Sequence, residues 1–324
     1  MKDNINKMAG RISEVQRELY TILYDEGEVQ AKLKGSFYKT GGEYPVTGDE
    51  VTFQYNPSGF SLIEEVHPRK SVFRRPDQSG HAAGYVKTMK EQVLAANFDY
   101  VFITTSLNSN YNLKRITRYI TISLQSGATP IVVLTKADLC PDQEKYLEEV
   151  RAVSEQVRAY AVCALSGEGM EQLTPYLQPG TTIVLLGSSG VGKSTLVNAM
   201  AGQDLMKVSH IREKDGRGRH TTTHRQLIVL PSGVTVIDTP GIRELGMCGV
   251  SEGIEDTFSD VTKYFGQCKF SNCKHQTEPG CAIKRAIADG ELLEDRWEFY
   301  CNLQAESNWA AKKKIGRASC RERV

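Results

Sequence analysis

The stretch "TTIVLLGSSGVGKST" (residues 181–195) decides the fold. Its first half, "TTIVLLG", is an apolar run of strand length. Its second half fits G-x-x-x-x-G-K-[ST], a loop that cradles phosphates. Gly187 and Gly192 allow a tight backbone turn and a close approach to an anion. The amides of Gly187, Ser188, Ser189, Gly190, Val191 and Gly192 would then face the phosphates. The N-terminus of the helix "KSTLVNAMAG" adds its partial positive charge. Lys193 is placed to reach the β- and γ-phosphates, Ser194 to hold Mg²⁺, and Thr195, next in the first helical turn, to bind the nucleotide with them.

The flanking segments say which nucleotide. Downstream, "VIDTPG" (residues 236–241) ends a second apolar strand. Asp238 there suits a magnesium ion met through water, and the Gly241 amide suits the γ-phosphate. Upstream, "TKAD" (residues 135–138) closes the run "IVVLTKADL". A carboxylate at Asp138 accepts from both the ring N–H and the exocyclic amine of guanine, a donor pair that adenine lacks. Lys136 would lay its stem across loop and base. Thr135 stands where an asparagine is usual, so one side-chain amide is missing. "CALSGEGM" (residues 163–170) fits a second base-contacting loop, through backbone near Ala164 and Leu165.

The order of these pieces is unusual. Base loop and second base loop precede the phosphate loop, and Asp238 and Gly241 come after it. An ordinary GTPase domain starts with the phosphate loop and ends with the base loops. The arrangement is that of a circular permutation, which adjacent domain termini make physically accessible. "EGMEQLTPYLQPGTT" (residues 168–182) would join the old C-terminus to the old N-terminus.

Bulk composition sets the frame. The 324 residues suffice for two or three domains. Hydrophobic content of 40% and charged content of 24% are ordinary for a globular chain, and a net charge of +1 excludes a polycation. Nucleic acid would therefore be bound through local patches. No apolar run reaches membrane-span length and the N-terminus has no signal-peptide core, so a cytoplasmic protein without membrane contact is expected. The last ten residues, "IGRASCRERV", match an in-frame translation of a common sequencing adapter. Residues 315–324 are accordingly expected to be a non-native tail, with the native chain continuing beyond Lys314.

Residues from about 10 to 70 alternate in short runs broken by turn signals, as in a small barrel. The OB fold, a frequent nucleic-acid binder, is one such barrel. The basic run "HPRKSVFRRPDQSG" (residues 67–80) comes next, with Arg69, Lys70, Arg74 and Arg75. Such a run is ordinarily a solvated linker; beside a barrel it could also meet phosphates. From about residue 98, strands alternate with helices, the pattern of a parallel sheet covered on both faces. "QEKYLEEVRAVSEQV" (residues 143–157) is expected to be one helix. After about residue 250 the segments look helical around a cluster of cysteines.

Eight cysteines are present, three of them within that cluster. Cys268, Cys273, His275 and Cys281 form C-x₄-C-x-H-x₅-C, a closed Cys₃His set suited to one structural zinc. Lys263, Lys269 and Lys274 lie among Tyr264 and Phe270, a mixture suited to RNA.

Taken together, "GDEV", "VHPRKSVFRR", "TKADL", "GSSGVGKSTLVN", "GRGRHTTTHRQL", "DTPGIRE" and the cysteine cluster resemble the circularly permuted RsgA/YjeQ GTPases. The resemblance covers nearly all of the chain up to Lys314. It implies a multi-domain protein: an N-terminal OB-fold β-barrel, a permuted α/β P-loop GTPase domain and a mainly helical zinc-binding domain. The corresponding ranges are residues 1–75, 76–246 and 247–314. It also implies a monomer that binds the small (30S) ribosomal subunit and its rRNA. GTP would be hydrolysed to GDP with stimulation by the subunit.

"GRGRHTTTH" (residues 216–224) is the switch segment in this reading. One of Thr221, Thr222 and Thr223 would complete magnesium coordination, and Thr222 is the assigned one. Ile242 occupies the position where small GTPases keep a water-orienting glutamine. The resemblance points to His220 as the catalytic substitute. Two other readings stay open on sequence alone. One is a GTP-dependent RNA-binding module with incidental hydrolysis, which Ile242 keeps alive. The other is a small-molecule kinase, against which "TKAD" and the switch threonines argue.

Overall fold

The computed structural model describes residues 7–37, 43–76, 91–206, 225–238 and 250–318. His220, Thr222 and Gly241 lie outside the described residues.

The alternating N-terminal runs form strands β1 (Lys7–Gln16), β2 (Leu19–Tyr24), β3 (Gly27–Leu33), β4 (Glu50–Gln54) and β5 (Ser61–Val66). Their order is β1-β2-β3-β5-β4, and β4 pairs back onto β1 from Lys7↔Gln54 to Arg11↔Glu50. The sheet is thereby closed into a five-stranded barrel of the kind expected. Inward positions supply the core: Ile12, Tyr20, Ile22, Ala31, Leu33, Phe37, Val51, Phe53 and Ile63. Each large apolar side chain buried here contributes about 1.5–3 kcal/mol.

Outside the barrel, Glu64 is held by Lys34, Lys7 and Gln54. Its bonds to Lys34 and Lys7 hold the carboxyl down at about 2. A carboxylate with a lowered folded-state value stabilises the fold above its unfolded value of about 4.3, and this is lost as pH falls toward 2. Glu64→Gln is expected to lower the melting midpoint at neutral pH by a small amount, on the order of 1–3 °C. The gap from wild type should close as pH drops through that window; thermal melts across a pH series check it.

The basic run is not a linker. Val72–Pro76 is strand β6, paired antiparallel with β7 (Glu91–Ala96). Its cations Arg69, Lys70 and Arg74 bridge to carboxylates. Arg69 clasps the fully buried Asp49 at 2.7 and 2.8 Å and also reaches Glu43. Lys70 pairs with Asp99 at 2.8 Å, and Arg74 with Glu43 at 2.7 Å. These charges fasten the barrel to the β6–β7 pair and to the start of the central sheet. Asp99 in turn accepts from the Thr182 amide at 2.8 Å. From β1, the Arg11 guanidinium reaches Gly48 O, Asn97 O and the Thr182 hydroxyl. Gly48 has φ +95°, and a Cβ there would lie 2.1 Å from Ala96 O, so only glycine fits this approach of barrel to β7.

The central sheet comprises β8 (Tyr100–Ser106), β9 (Thr129–Thr135), β10 (Arg158–Val162), β11 (Thr182–Leu186), β12 (Gln226–Val229) and β13 (Thr235–Asp238). Its order is β10-β9-β8-β11-β13-β12, parallel except for β12. The middle strands are buried on both faces, which is why they read as continuous apolar runs. Glu14 of β1 faces Gln226 of β12, so barrel and central sheet are continuous. The chain winds outward from β8 to β10, then returns to place β11 on the other side of β8. That makes the β8/β11 boundary a topological switch point, where the C-terminal strand ends open a crevice for ligands.

Helices α1 (Leu113–Gln125), α2 (Gln143–Arg151) and α3 (Lys193–Ala201) cover the sheet. Helix α2 stops at Arg151, short of the expected span. Val153 and Val157 turn inward instead, and the Ser154 hydroxyl accepts from the Gln156 amide at 3.4 Å. Such local side-chain bonds compete with helix continuation.

The C-terminal region is helical: α4 (Ser251–Thr257), α5 (Ser259–Thr262), α6 (Ala282–Ala288) and α7 (Glu294–Ala318). Ile254, Phe258, Val261, Ile283 and Leu303 join the same core as Ile116 and Ile120 of α1. Helix α1 is consequently sandwiched. The Thr121 and Thr257 hydroxyls are hydrogen-bonded at 3.0 Å, and Arg118 grips Glu306 at 2.7 and 2.8 Å. Among the described residues no helix is long and apolar enough to cross a membrane.

Candidate nucleotide and metal sites

The phosphate-loop sequence leaves β11 at Leu186 and enters α3 at Lys193. Gly187 has φ +153°, and a Cβ there would sit 2.3 Å from Thr104 O. Gly190 and Gly192 also have positive φ, at 79° and 96°. Val191 is fully buried and pins the middle of the loop. The Lys193 ammonium donates to Gly187 O at 2.8 Å and Ser188 O at 2.9 Å, so it lies over the loop. Ser189, Ser194 and Thr195 are half-buried around it.

The base-loop segment is tied to this loop. Thr135 is buried at the end of β9, with its hydroxyl 2.5 Å from Val191 O and 3.2 Å from Thr105 O. A hydroxyl carries one hydrogen, and the nearer carbonyl has the first claim on it. Threonine thus supplies the link between base loop and phosphate loop despite lacking an amide. Lys136 adopts φ +56° and its ammonium donates to Gly190 O at 3.1 Å. Asp138 comes next, exposed, in a single 3-10 turn. The second loop is closed by Cys163 N donating to Glu168 O and Gly167 N donating to Cys163 O, at 2.8 and 2.9 Å. Ala164 is half-buried and Leu165 is exposed at its tip.

Asp238 ends β13, buried, in register with Leu185 of the strand that feeds the phosphate loop. Strand order thus gathers Thr135, Lys136, Gly187 to Lys193 and Asp238 at the C-terminal edge of one parallel sheet.

One participant has no signature in the sequence. Strand β8 lies between β9 and β11, so its exit loop lies between base loop and phosphate loop. From that loop Asn110 Nδ2 donates to the Ser188 hydroxyl at 2.9 Å. The 78-residue separation hides the pairing from any local pattern.

The second site is built by turns. Cys281 precedes α6, and Cys268 and Cys273 lie in the turns after α5. His275 has φ +60°, which folds its ring back toward the thiols. Its Nδ1 lies 3.5, 3.7 and 3.5 Å from the Sγ atoms of Cys268, Cys273 and Cys281. A zinc ion bound at about 2.3 Å to sulfur and about 2.0 Å to nitrogen requires N···S edges of about 3.5 Å. The donor set therefore fits one tetrahedral zinc, and all four ligand atoms lie within 4.8 Å of one another.

Neighbouring groups hold the ligands in place. The Ala282 amide donates to Cys268 Sγ and the His275 amide to Cys273 Sγ. Phe265 stacks on the imidazole with centroids 5.2 Å apart, and Trp297 meets it edge-on at 5.7 Å. The Glu278 carboxylate accepts from the amides of Lys274, Gln276 and Thr277, closing the loop between His275 and Cys281. Its own main-chain amide first, and then these neighbouring amides, hold it down at about 2.

The chain is similar to known proteins in both sequence and fold. The profile of the RsgA GTPase family matches residues 66–248. "Small ribosomal subunit biogenesis GTPase RsgA 2" of Listeria monocytogenes is 43% identical over 97% of this chain and 88% of its own length. "Small ribosomal subunit biogenesis GTPase RsgA" of Methanosarcina acetivorans is 41% identical over 94% of this chain and 81% of its own. Among solved structures, YjeQ from Thermotoga maritima superposes with a TM-score of 0.66 at 26% identity, covering 92% of this chain and 97% of its own. YloQ, described as a circularly permuted GTPase, gives 0.62 at 25% identity over 94% and 96%. A base loop bonded to a phosphate loop that comes after it in sequence is the arrangement such a permutation requires. The chain is a GTPase of the RsgA family.

Proposed function

We propose that the chain binds GTP with Mg²⁺ at the C-terminal edge of its central sheet and hydrolyses it on the small ribosomal subunit, assisting late subunit assembly. The observation carrying this reading is the pair of bonds from Thr135 and Lys136 to the phosphate loop. They fix the distance between a guanine-reading carboxylate and a phosphate cradle.

In this assignment Asp138 reads the guanine edge, with the backbone at Ala164 and Leu165 beneath the base. The loop from Gly187 through Ser188, Ser189, Gly190, Val191 and Gly192 surrounds the phosphates, and Thr195 supports it. Lys193 exchanges its bonds to Gly187 O and Ser188 O for the β- and γ-phosphates. When bound, Mg²⁺ would neutralise phosphate charge. Ser194 and Thr222 would hold it, Asp238 would contact it through water, and the Gly241 amide would meet the γ-phosphate. His220 orients the attacking water.

The zinc at Cys268, Cys273, His275 and Cys281 is structural, since a closed ligand set leaves no position for water. The barrel within residues 1–75 and the helical region within residues 247–314 carry the rRNA contacts. Residues 76–246 carry the chemistry. The working form is a cytoplasmic monomer.

The test is single-turnover GTP hydrolysis with and without purified small subunits. Wild type is expected to accelerate on adding subunits. His220→Ala is expected to lose about 100-fold or more of the stimulated rate, as for a displaced water-orienting group. Hydrolysis by His220→Ala at the wild-type rate removes His220 from the mechanism. A wild-type rate indifferent to subunits removes the ribosomal role.

A further inference from the structure

We propose that Asn110 is a positioning residue for the phosphate loop, setting Ser188 and through it Lys193. The proposal rests on the GTP-site reading above and extends it to a loop that no motif marks.

The orientation of Asn110 is determined by its partners. Arg115 Nη2 donates to Asn110 Oδ1 at 2.7 Å and also reaches the Asn110 main-chain carbonyl. A guanidinium has only donors, so the amide oxygen must face it. The amide nitrogen is then turned to the Ser188 hydroxyl, 2.9 Å away. Asn108 fixes the turn beneath: its Oδ1 accepts from the Ser106 hydroxyl and from the Asn110 amide, each at 2.9 Å.

The base of the brace is firm. Arg115 lies in the first turn of α1, whose N-cap Asn112 accepts from the Arg115 amide at 2.9 Å. One turn later Arg118 is held by Glu306 of α7. The other end is functional. Ser188 presents its hydroxyl to Asn110 and its carbonyl to the Lys193 ammonium. A shift of Ser188 therefore moves both the loop amides and the cation that serve the phosphates. Misplacement of such groups by a fraction of an ångström weakens binding and slows chemistry.

The experiment titrates full-length protein with fluorescent GDP and follows single-turnover GTP hydrolysis. The variants are Asn110→Ala, Ser188→Ala, the double variant and Asn110→Asp, each checked by thermal melting. Each single alanine variant is expected to bind GDP about five-fold more weakly, the worth of one hydrogen bond of about 1 kcal/mol. The double variant should be no worse than the weaker single, because both remove the same contact. Asn110→Asp should recover most of the loss, since its carboxylate accepts from Arg115 and from the Ser188 hydroxyl. Additive losses, or wild-type affinity and rate in Asn110→Ala, would overturn the proposal. If wild type itself bound no GDP or GTP, the GTP-site reading would fail; if only Asn110→Ala behaved as wild type, this inference alone would fail.

Discussion

Cys281→Ser is expected to leave the protein with little bound zinc and with a loosened segment between α5 and α6. The reason is the composition of that segment. From residue 263 to 280 no side chain is fully buried, and the only regular features are turns. Three thiols, one imidazole and the Glu278-capped loop hold it together. Structural zinc supplies about 10–16 kcal/mol of apparent binding free energy in small zinc modules, comparable to the whole stability of a domain. Removing one thiolate opens the tetrahedron and forfeits most of that. Cys281 is also the N-cap position of α6, so its loss carries directly into Ile283 and Ala286, which belong to the main core. Zinc should fall well below one per chain by elemental analysis, and limited proteolysis should cut within 263–281. The parallel sheet, whose opposite face has a separate core of Phe102, Ile131, Leu185 and Val236, should survive. Full zinc content with unchanged proteolysis would refute the ligand assignment.

Gly187→Ala is expected to lower GTP turnover by about 100-fold while leaving most of the fold intact. The added methyl would meet Thr104 O at 2.3 Å and Val191 Cγ2 at 3.1 Å. Thr104 lies in β8, hydrogen-bonded between β9 and β11, so its carbonyl cannot retreat. The backbone angle of +153° adds strain for any residue with a Cβ. The loop must move instead, carrying Ser188 and the Lys193 ammonium that bonds to it. A displacement near 1 Å at phosphate-positioning groups costs about 100-fold in rate. Steady-state GTP hydrolysis on subunits, alongside a thermal melt, separates the two effects. Wild-type turnover would show that the loop tolerates the methyl and that this approach does not set its geometry.

Several features were legible because each depends on short spacing. The phosphate loop needs glycines, a lysine and a hydroxyl at fixed offsets after a strand. The zinc set needs four ligands within fourteen residues, and the folded Nδ1···Sγ distances of 3.5 to 3.7 Å match the tetrahedron that spacing suggested. The barrel could be read from period-two alternation. The permuted order required only that the motifs be read in sequence.

Other features were illegible because their partners are distant along the chain. Arg69, Lys70 and Arg74 read as a solvated or phosphate-seeking run, yet they bridge Asp49, Glu43 and Asp99. A charge run looks the same in sequence whether its partners are anions in solvent or carboxylates brought near by a barrel. Helix α2 read as reaching residue 157 and ends at Arg151, because a serine turn offers the backbone an alternative near β10.

By itself the sequence determined that this is a permuted GTPase with a Cys₃His cluster suited to zinc, since both depend on local residue order. The tertiary structure alone decided how the site is held. Thr135 looked like a loss beside the usual asparagine, but β9 delivers its hydroxyl to Val191 O, 56 residues away. Asn110 carried no signal, but the position of β8 between β9 and β11 sets it against Ser188. Strand order is a property of the packed sheet, and contacts between neighbouring strand ends exist only once that order is formed.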